Sequence, residues 1–325
     1  MAVLVTGGAG YIGSHMALAL LDRGEGVVVL DNLVTGVRAQ VPAQATFVEG
    51  DIADEDLVTR VLAEQNIQAI VHFAGSVVVP ESVADPLKYY GNNTAATRNL
   101  LDAAVRAGIE QFIFSSTAAV YGITDAPLVD EDAPKEPPSP YGRSKLMTEW
   151  MLADLSAATA LRYVVLRYFN VAGADPLGRT GQSTPGATHL IKRACQAALG
   201  RVPKLGIFGS DFPTRDGTGV RDYIHVTDLI GAHLLALDHL RGGGVSETVN
   251  CGYGSGFSVL EVIDAIERVT GITVPAERQP RRPGDPPMIV ADSSKLKAAL
   301  GWQPQYASLD TIVDHAFRWE KNLPA

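Results

Sequence analysis

The chain has only two cysteines in 325 residues, Cys195 and Cys251. Two thiols that far apart exclude a disulfide scaffold and a structural zinc site, and they suit a reducing compartment, so a cytoplasmic location is expected. No apolar run approaches the roughly 18 residues that span a bilayer, so no membrane partner is expected. Met1-Ala2 leads straight into Val3-Leu4-Val5, without the basic start or cleavage site of a secretory leader. Positive charge is in deficit: 27 Lys and Arg stand against 36 Asp and Glu, a net charge of −9. Nucleic-acid binders usually carry the opposite sign, so nucleic acid is excluded as a partner. No grouping of His, Cys and carboxylates has ligand spacing, and no metal is expected. Charged residues are 19% of the chain and apolar ones 46%. That balance excludes disorder and supplies a sizeable core. Glycine, by contrast, is plentiful, at 32 residues, and its placement carries information.

Short apolar runs alternate with helical spacing through the first part of the chain. Val3–Thr6, Val27–Leu30, Thr46–Glu49, Ala69–Phe73, Phe112–Phe114 and Leu161–Tyr168 read as strands. His15–Asp22 and Thr94–Ala107 read as helices, the second closed by Gly108 at the C′ position. Continuous apolar strands separated by helices predict a parallel sheet covered on both faces. After about residue 171 the texture changes. Asp175–Gly186 reads as a loop, Ile191–Leu199 and Val259–Thr270 as helices, and the prolines of 280–287 exclude regular structure there. The expected fold is α/β: a doubly wound Rossmann sheet over 1–170 and a smaller C-terminal α/β substrate lobe over 171–325, with strand or helix crossings between the two allowed.

Gly7-Gly8-Ala9-Gly10-Tyr11-Ile12-Gly13 follows the first strand and opens the first helix. It satisfies G-x-G-x-x-G through Gly8, Gly10 and Gly13. Such glycines allow a tight turn, close approach of backbone to a pyrophosphate and close helix–sheet packing, while the helix N-terminus offers N–H groups to phosphate. Asp31 ends the second strand, 21 positions past Gly10. A carboxylate there accepts hydrogen bonds from a ribose 2′-hydroxyl and repels a 2′-phosphate, which selects NAD over NADP. The other strand ends face the same cofactor: Asp51-Ile52, Phe73-Ala74-Gly75 and Ser115-Ser116-Thr117. Taken singly, each of these also reads as ordinary strand-end turn chemistry.

Ser139-Pro140-Tyr141-Gly142-Arg143-Ser144-Lys145 predicts a helix capped by Ser139 with Pro140 in its first turn. Tyr141 and Lys145 then share one face, as i and i+4. A phenol with its ordinary pKa near 10 is a poor base at neutral pH. The adjacent ammonium and an oxidised nicotinamide ring are expected to lower it. Thr117 is placed to pass a hydrogen bond between a substrate hydroxyl and the phenolate. His72, inside a strand, reads as a core residue with its bonds met, and Met16, Met147 and Met151 as core or interface fillers.

With these motifs the chain resembles the extended short-chain dehydrogenase/reductase family, over nearly its whole length. The carriers are Val5–His15, Leu30-Asp31-Asn32-Leu33, Gly50-Asp51-Ile52, His72–Gly75, Tyr89-Tyr90-Gly91-Asn92-Asn93, Phe114–Thr117, Ser139–Lys145, Leu166-Arg167-Tyr168-Phe169-Asn170 and Asp216–His225. The last belongs to the family's nucleotide-sugar epimerase branch. The resemblance implies a homodimer with tightly held NAD that interconverts UDP-galactose and UDP-glucose through a transient 4-keto sugar. It assigns the 4′-hydroxyl proton to Thr117 and Tyr141 and the nicotinamide ribose to Lys145. To the cofactor it further gives Gly7, Gly10, Tyr11, Ile12, Gly13, Asn32, Asn92 and Phe169. To the UDP-sugar it gives Asn170, Arg221 and Arg282, with Asp285 at the uridine ribose and His189-Leu190 and Gly206-Ile207-Phe208 lining the nucleotide pocket. On spacing alone each arginine reads more readily as a solvated surface residue.

Two positions depart from the family pattern. Val77 stands where some members have a cofactor-binding lysine, and His189 where some have asparagine. Ala118-Ala119 follow Thr117 where a 4,6-dehydratase needs an acid and a base, which excludes that reaction. A redox-sensing binding protein of this fold lacks the Tyr-Lys pair, which this chain keeps. Epimerases of UDP-N-acetylhexosamines, UDP-pentoses or UDP-uronates are the alternatives. Ile289, four positions after Asp285, falls where the family meets the sugar's 2′-substituent. Its stiff, β-branched side chain is expected to favour glucose and galactose over N-acetyl forms. A dimer is expected through Thr94–Ala107 and Ser144–Leu155, with Ala95, Leu101, Ala104 and Val105 supplying the apolar face.

Overall fold

Strands come from the segments where apolar residues run without interruption. In the computed structural model, which describes residues 2–122, 126–282 and 284–324, seven of them form one sheet in the order β10-β6-β5-β4-β1-β2-β3. These are β1 (Ala2–Thr6), β2 (Gly26–Asp31), β3 (Thr46–Glu49), β4 (Ile67–His72), β5 (Gln111–Thr117), β6 (Arg162–Tyr168) and β10 (Glu247–Cys251). β1 runs parallel to both β2 and β4, β2 to β3, and β4 to β5. Val3, Leu4, Val5, Val29, Leu30, Ile70, Val71 and Ile113 are buried, including neighbours that point to opposite faces. Helices must therefore cover both faces, as in a doubly wound Rossmann sheet. Strand order reverses between β1 and β4, and in such folds the crevice at the carboxyl ends of the strands beside that reversal receives ligands.

Two compact units are present. The first comprises Met1–Gly122, Pro134–Arg167 and Ile230–Val249; the second comprises Ile123–Ala133, Tyr168–Leu229 and Asn250–Ala325. The first unit thus takes back two later stretches of chain. Its core gathers Leu4, Leu30, Ile70, Leu100, Phe112 and Phe114. The second is built on β9 (Val220–His225), which is paired with β7 (Asn170–Ala172), β11 (Gly256–Ser258) and β13 (Met288–Ile289). Beside these, β8 (Leu205–Phe208) runs parallel to β12 (Ala276–Gln279). Its core gathers Ile191, Leu205, Ile207, Tyr223, Ile266 and Ile312.

Helix signals hold closely at Val259–Thr270, where Ser258 forms a capping box with Glu261 and Gly271 closes the end at φ 70°. The helix expected to begin at Thr94 begins instead with a π turn over Tyr90–Ala95, which runs into the α-helix Ala96–Arg106. The wider turn brings Asn93 inward, where its side chain bonds Ser76 and Ser144. No regular element lies between Gln279 and Met288 among the described residues. None of the described helices is long and apolar enough to cross a membrane.

Candidate active site

In the first unit the glycines sit where a side chain would collide. Gly7 has φ +69°, and a Cβ there would lie 2.6 Å from the Ala74 nitrogen. A Cβ on Gly13 would lie 2.2 Å from the Gly7 carbonyl oxygen. Together they let the turn close on the Phe73-Ala74-Gly75 strand end. No side chain caps the helix Tyr11–Asp22 that follows, and its first turn holds no acid. Its N–H groups and dipole therefore favour an anion. Asp31, at the end of β2, is 7% exposed. Its Oδ2 accepts from the Ala9 N–H at 2.9 Å and its Oδ1 from the Leu33 N–H at 2.8 Å. Burial raises its pKa while these two N–H groups hold it down. A carboxylate has about four acceptor sites, so these bonds leave capacity for a ribose hydroxyl. Asn32 donates to Asp51 at 2.8 Å, while Ile52 is buried. The uncapped helix end, the side-chain-free turn and the oriented carboxylate fit a dinucleotide.

The helix Pro140–Ala158 is capped by Ser139, whose Oγ accepts from the Gly142 N–H at 3.2 Å, with Pro140 in its first turn as expected. Gly142 has no room for a side chain, since a Cβ would lie 2.2 Å from the Ala119 carbonyl oxygen. This contact seats the helix start on the end of β5. Tyr141, Lys145 and Thr117 are 8%, 4% and 8% exposed. Thr117 hydrogen-bonds Tyr141. Lys145 Nζ donates to the Ser115 carbonyl at 3.0 Å and lies 4.9 Å from the Phe114 ring centroid.

The expected lowering of the Tyr141 pKa by Lys145 is corrected by the structure. Burial raises the phenol, and the bond with Thr117 is what opposes that rise. Burial also pushes Lys145 down to about 8, and Glu149 opposes it. Asn92 donates to the Ser76 hydroxyl at 2.8 Å. His72 is met on both ring nitrogens, by Thr6 and Thr97, and is a core residue as read.

The second unit brings together a different set. Arg221 leaves β9 with its Nη1 donating to the Val220 carbonyl at 2.9 Å, and its Nη2 lies 3.7 Å from Asp285. Arg282 lies over the Phe208 ring, 3.7 Å from its centroid. Burial and the neighbouring Arg282 charge lower the Arg221 pKa, against Asp285. Two cations that feel each other's charge leave a place for an anion. Asn170, on β7, donates to the Asp222 carbonyl at 3.4 Å. Ile289 lies directly beside Arg221 in the pairing of β13 with β9. Gly206 packs under Phe208, where a Cβ would meet the ring at 3.0 Å. Ile207 is buried in the core and Leu190 packs against it, so their side chains face inward. His189 precedes the helix Leu190–Ala198 and is exposed, 3.3 Å from Gln182 through its Nδ1. Phe169 is half-buried between β6 and β7.

Two residues that shape these sites were quoted in the sequence reading but given no role. Asn93, 2% exposed, ties the Gly75-Ser76 turn to the helix Pro140–Ala158 through Ser144. Asp222 is fully buried and accepts from the N–H groups of Tyr253, Gly254 and Ala291, which fixes β9 under Arg221. Each adjoins a residue that was singled out, Asn92 and Arg221, but nothing in the spacing says which neighbour turns inward. Among the described residues no three of His, Cys, Asp and Glu are grouped to hold a metal ion.

Comparison with known proteins adds to this geometry. Residues 3–252 match the model of the NAD dependent epimerase/dehydratase family. A UDP-glucose 4-epimerase of Azospirillum brasilense is 58% identical over 321 residues, covering 99% of this chain and 92% of that protein. The crystal structure of a UDP-glucose 4-epimerase from Brucella ovis in complex with NAD superposes with a TM-score of 0.95 at 46% identity, covering 98% of each chain. The corresponding enzyme from Bifidobacterium longum, in complex with NAD+ and UDP, gives 0.94 at 38% identity, covering 99% of each.

Proposed function

Since the chain belongs to the NAD dependent epimerase/dehydratase family, we propose that it interconverts UDP-galactose and UDP-glucose through a transient 4-keto sugar. The observation that carries this reading is the buried grouping of Thr117, Tyr141 and Lys145 at the end of β5. The protein is an NAD-dependent isomerase, like the relatives it matches along their length. Bound NAD supplies a hydride acceptor that is also the donor of the return step, so the cycle has no net redox change. Tyr141 takes the 4′-hydroxyl proton and later returns it, with Thr117 bridging the two oxygens. Lys145 binds the nicotinamide ribose. Asp31 binds the adenosine ribose, and the N–H groups at Tyr11, Ile12 and Gly13 receive the pyrophosphate. Because burial raises the free Tyr141 phenol, its activation depends on positive charge arriving with the oxidised cofactor.

Arg221 and Arg282 bind the UDP diphosphate, with Asp285 at the uridine ribose and Phe208 beneath Arg282. Burial lowers the Arg221 pKa and the Arg282 charge adds to it, and an anion relieves that repulsion between the two guanidiniums. Asn170 and Ile289 lie beside this anchor, in the strands that flank β9. The test is incubation of the purified protein with UDP-galactose and no added NAD. UDP-glucose is the expected product; protein loaded with NAD that leaves UDP-galactose unchanged would refute the reading.

We further propose that the chain works as a homodimer in the cytoplasm. The apolar face assigned from sequence needs correction, because Leu101 and Ala104 are already buried in their own subunit's core. A hollow of 460 Å³ on the same two helices is lined by Ala95 of that face together with Tyr90, Thr94, Arg98, Asn99, Met147 and Met151. Pairing two copies across it would bury these side chains together. Sedimentation at micromolar concentration is expected to show a dimer, and Met147→Glu a monomer.

A further inference from the structure

A carboxylate outside the grouping assigned to catalysis lies behind it. The helix Pro140–Ala158 carries Tyr141, Lys145 and Glu149 at intervals of four, on one face. Glu149 is 6% exposed. Its Oε1 accepts from the Ser116 hydroxyl at 2.5 Å. Both its oxygens accept from Arg167 of β6, the shortest bond running from Nη2 to Oε2 at 2.6 Å. Arg167 in turn donates to the Tyr121 hydroxyl at 2.9 Å. One buried side chain of the catalytic helix is thus bonded from β5 and from β6.

Its partner on β5 stands between two residues of the candidate site. Ser115 supplies the carbonyl that receives Lys145, and Thr117 bonds Tyr141. Successive side chains of a strand point to opposite faces, so Ser116 turns away from the side chains of Ser115 and Thr117 and can be held by Glu149 without taking their place. We propose that Glu149 is a positioning residue: through Ser116 it sets the carboxyl end of β5 against the helix that bears Tyr141 and Lys145. The proposal rests on the epimerase reading above. A shift of about 1 Å between groups that pass a proton slows a reaction by about 100-fold, so the clamp acts on kcat rather than on substrate affinity.

Glu149 also supplies negative charge to a buried ammonium. Lys145 is faced by His72 from β4, held neutral by burial, by the Phe114 ring from β5, and by Glu149 from its own helix; Arg167 lies beyond Glu149. Among these groups Glu149 is the one whose charge favours the ammonium.

Glu149→Gln leaves Arg167 buried without its counter-charge and risks the fold. Ser116→Ala removes only the clamp and keeps the ion pair. For Ser116→Ala the expected result is a kcat on UDP-galactose lower by about 10- to 100-fold, with KM and bound NAD unchanged. A kcat equal to wild type, or a loss confined to thermal stability, overturns the proposal. Where Glu149→Gln folds, the alkaline limb of its pH–kcat profile is expected to move to lower pH by about one unit; an unmoved limb also overturns it. A wild-type chain that fails to epimerise UDP-galactose would bring down the functional reading and this proposal together, whereas active wild type with an unaffected Ser116→Ala brings down the proposal alone.

Discussion

The two groupings of candidate residues, one in each unit, are built on opposite plans. In the first unit Thr117, Tyr141 and Lys145 are each at most 8% exposed and bonded to one another's elements. In the second unit Arg221 and Asp285 keep 18% and 37% of their side chains exposed, and Arg282 lies on the surface over Phe208. Proton transfer needs atoms held to a fraction of an ångström, and burial among fixed partners supplies that. Anion recognition needs charge within reach, and a guanidinium, more weakly hydrated than an ammonium, supplies it at a smaller desolvation cost. On this plan the first grouping is expected to set the rate and the second the affinity.

Four changes would break or sharpen that division. The largest effect is expected from Tyr141→Phe, which removes the base: kcat falls on the order of 10³-fold, while fold and NAD content, read by circular dichroism and cofactor absorbance, stay as they were. An active variant would move the chemistry to another residue. Arg221→Ala should raise KM and weaken UDP binding by roughly 10- to 100-fold, as loss of a charge-assisted bond to phosphate does, with kcat little changed. Calorimetric titration with UDP measures it, and a pure kcat loss would erase the division of labour.

Lys145→Met tests the cost of burying the first grouping. The folded pKa of Lys145, about 8, lies below its ordinary value of 10.5. The folded state therefore binds fewer protons than the unfolded state between those limits. The burden on stability is full below about pH 8 and fades as the pH rises toward 10.5. The variant without cofactor should accordingly be more stable than wild type at pH 7, by on the order of 1–3 kcal/mol, and the gain should vanish toward pH 10.5. Denaturant unfolding at several pH values checks both parts. The smallest effect is expected at Ile289, half-buried beside Arg221. Ile289→Gly should shift the kcat/KM ratio of UDP-N-acetylgalactosamine to UDP-galactose upward by about fivefold, by removing a clash worth about 1 kcal/mol. An unmoved ratio means that Ile289 does not meet the sugar.

Much of the first unit was legible before any coordinates. Gly7 to Gly13, Asp31 and the Tyr141–Lys145 spacing are local patterns, and local patterns follow from backbone geometry that a few adjacent residues impose. The Ser139 cap and the Gly108 and Gly271 helix ends are of the same kind, and each is found where it was expected. The second unit was legible only through resemblance. Its grouping joins β9, β8 and the segment after β12, and no spacing rule links Arg221 to Phe208, Arg282 and Asp285.

The sequence by itself determined the alternation of strand and helix, the dinucleotide turn, and the face that Tyr141 and Lys145 share, since each depends on neighbours within about one turn or one strand. Tertiary structure decided what depends on burial and on distant partners. It raised the Tyr141 phenol where the Lys145 ammonium was expected to lower it, because desolvation outweighs the hydrogen bond from Thr117. It buried Leu101 and Ala104 in their own core and left Met147 and Met151 to line the outer hollow. It also turned Asn93, Glu149 and Asp222 inward, because a buried polar side chain is placed by the partners that satisfy it, and those partners lie on other elements of the fold.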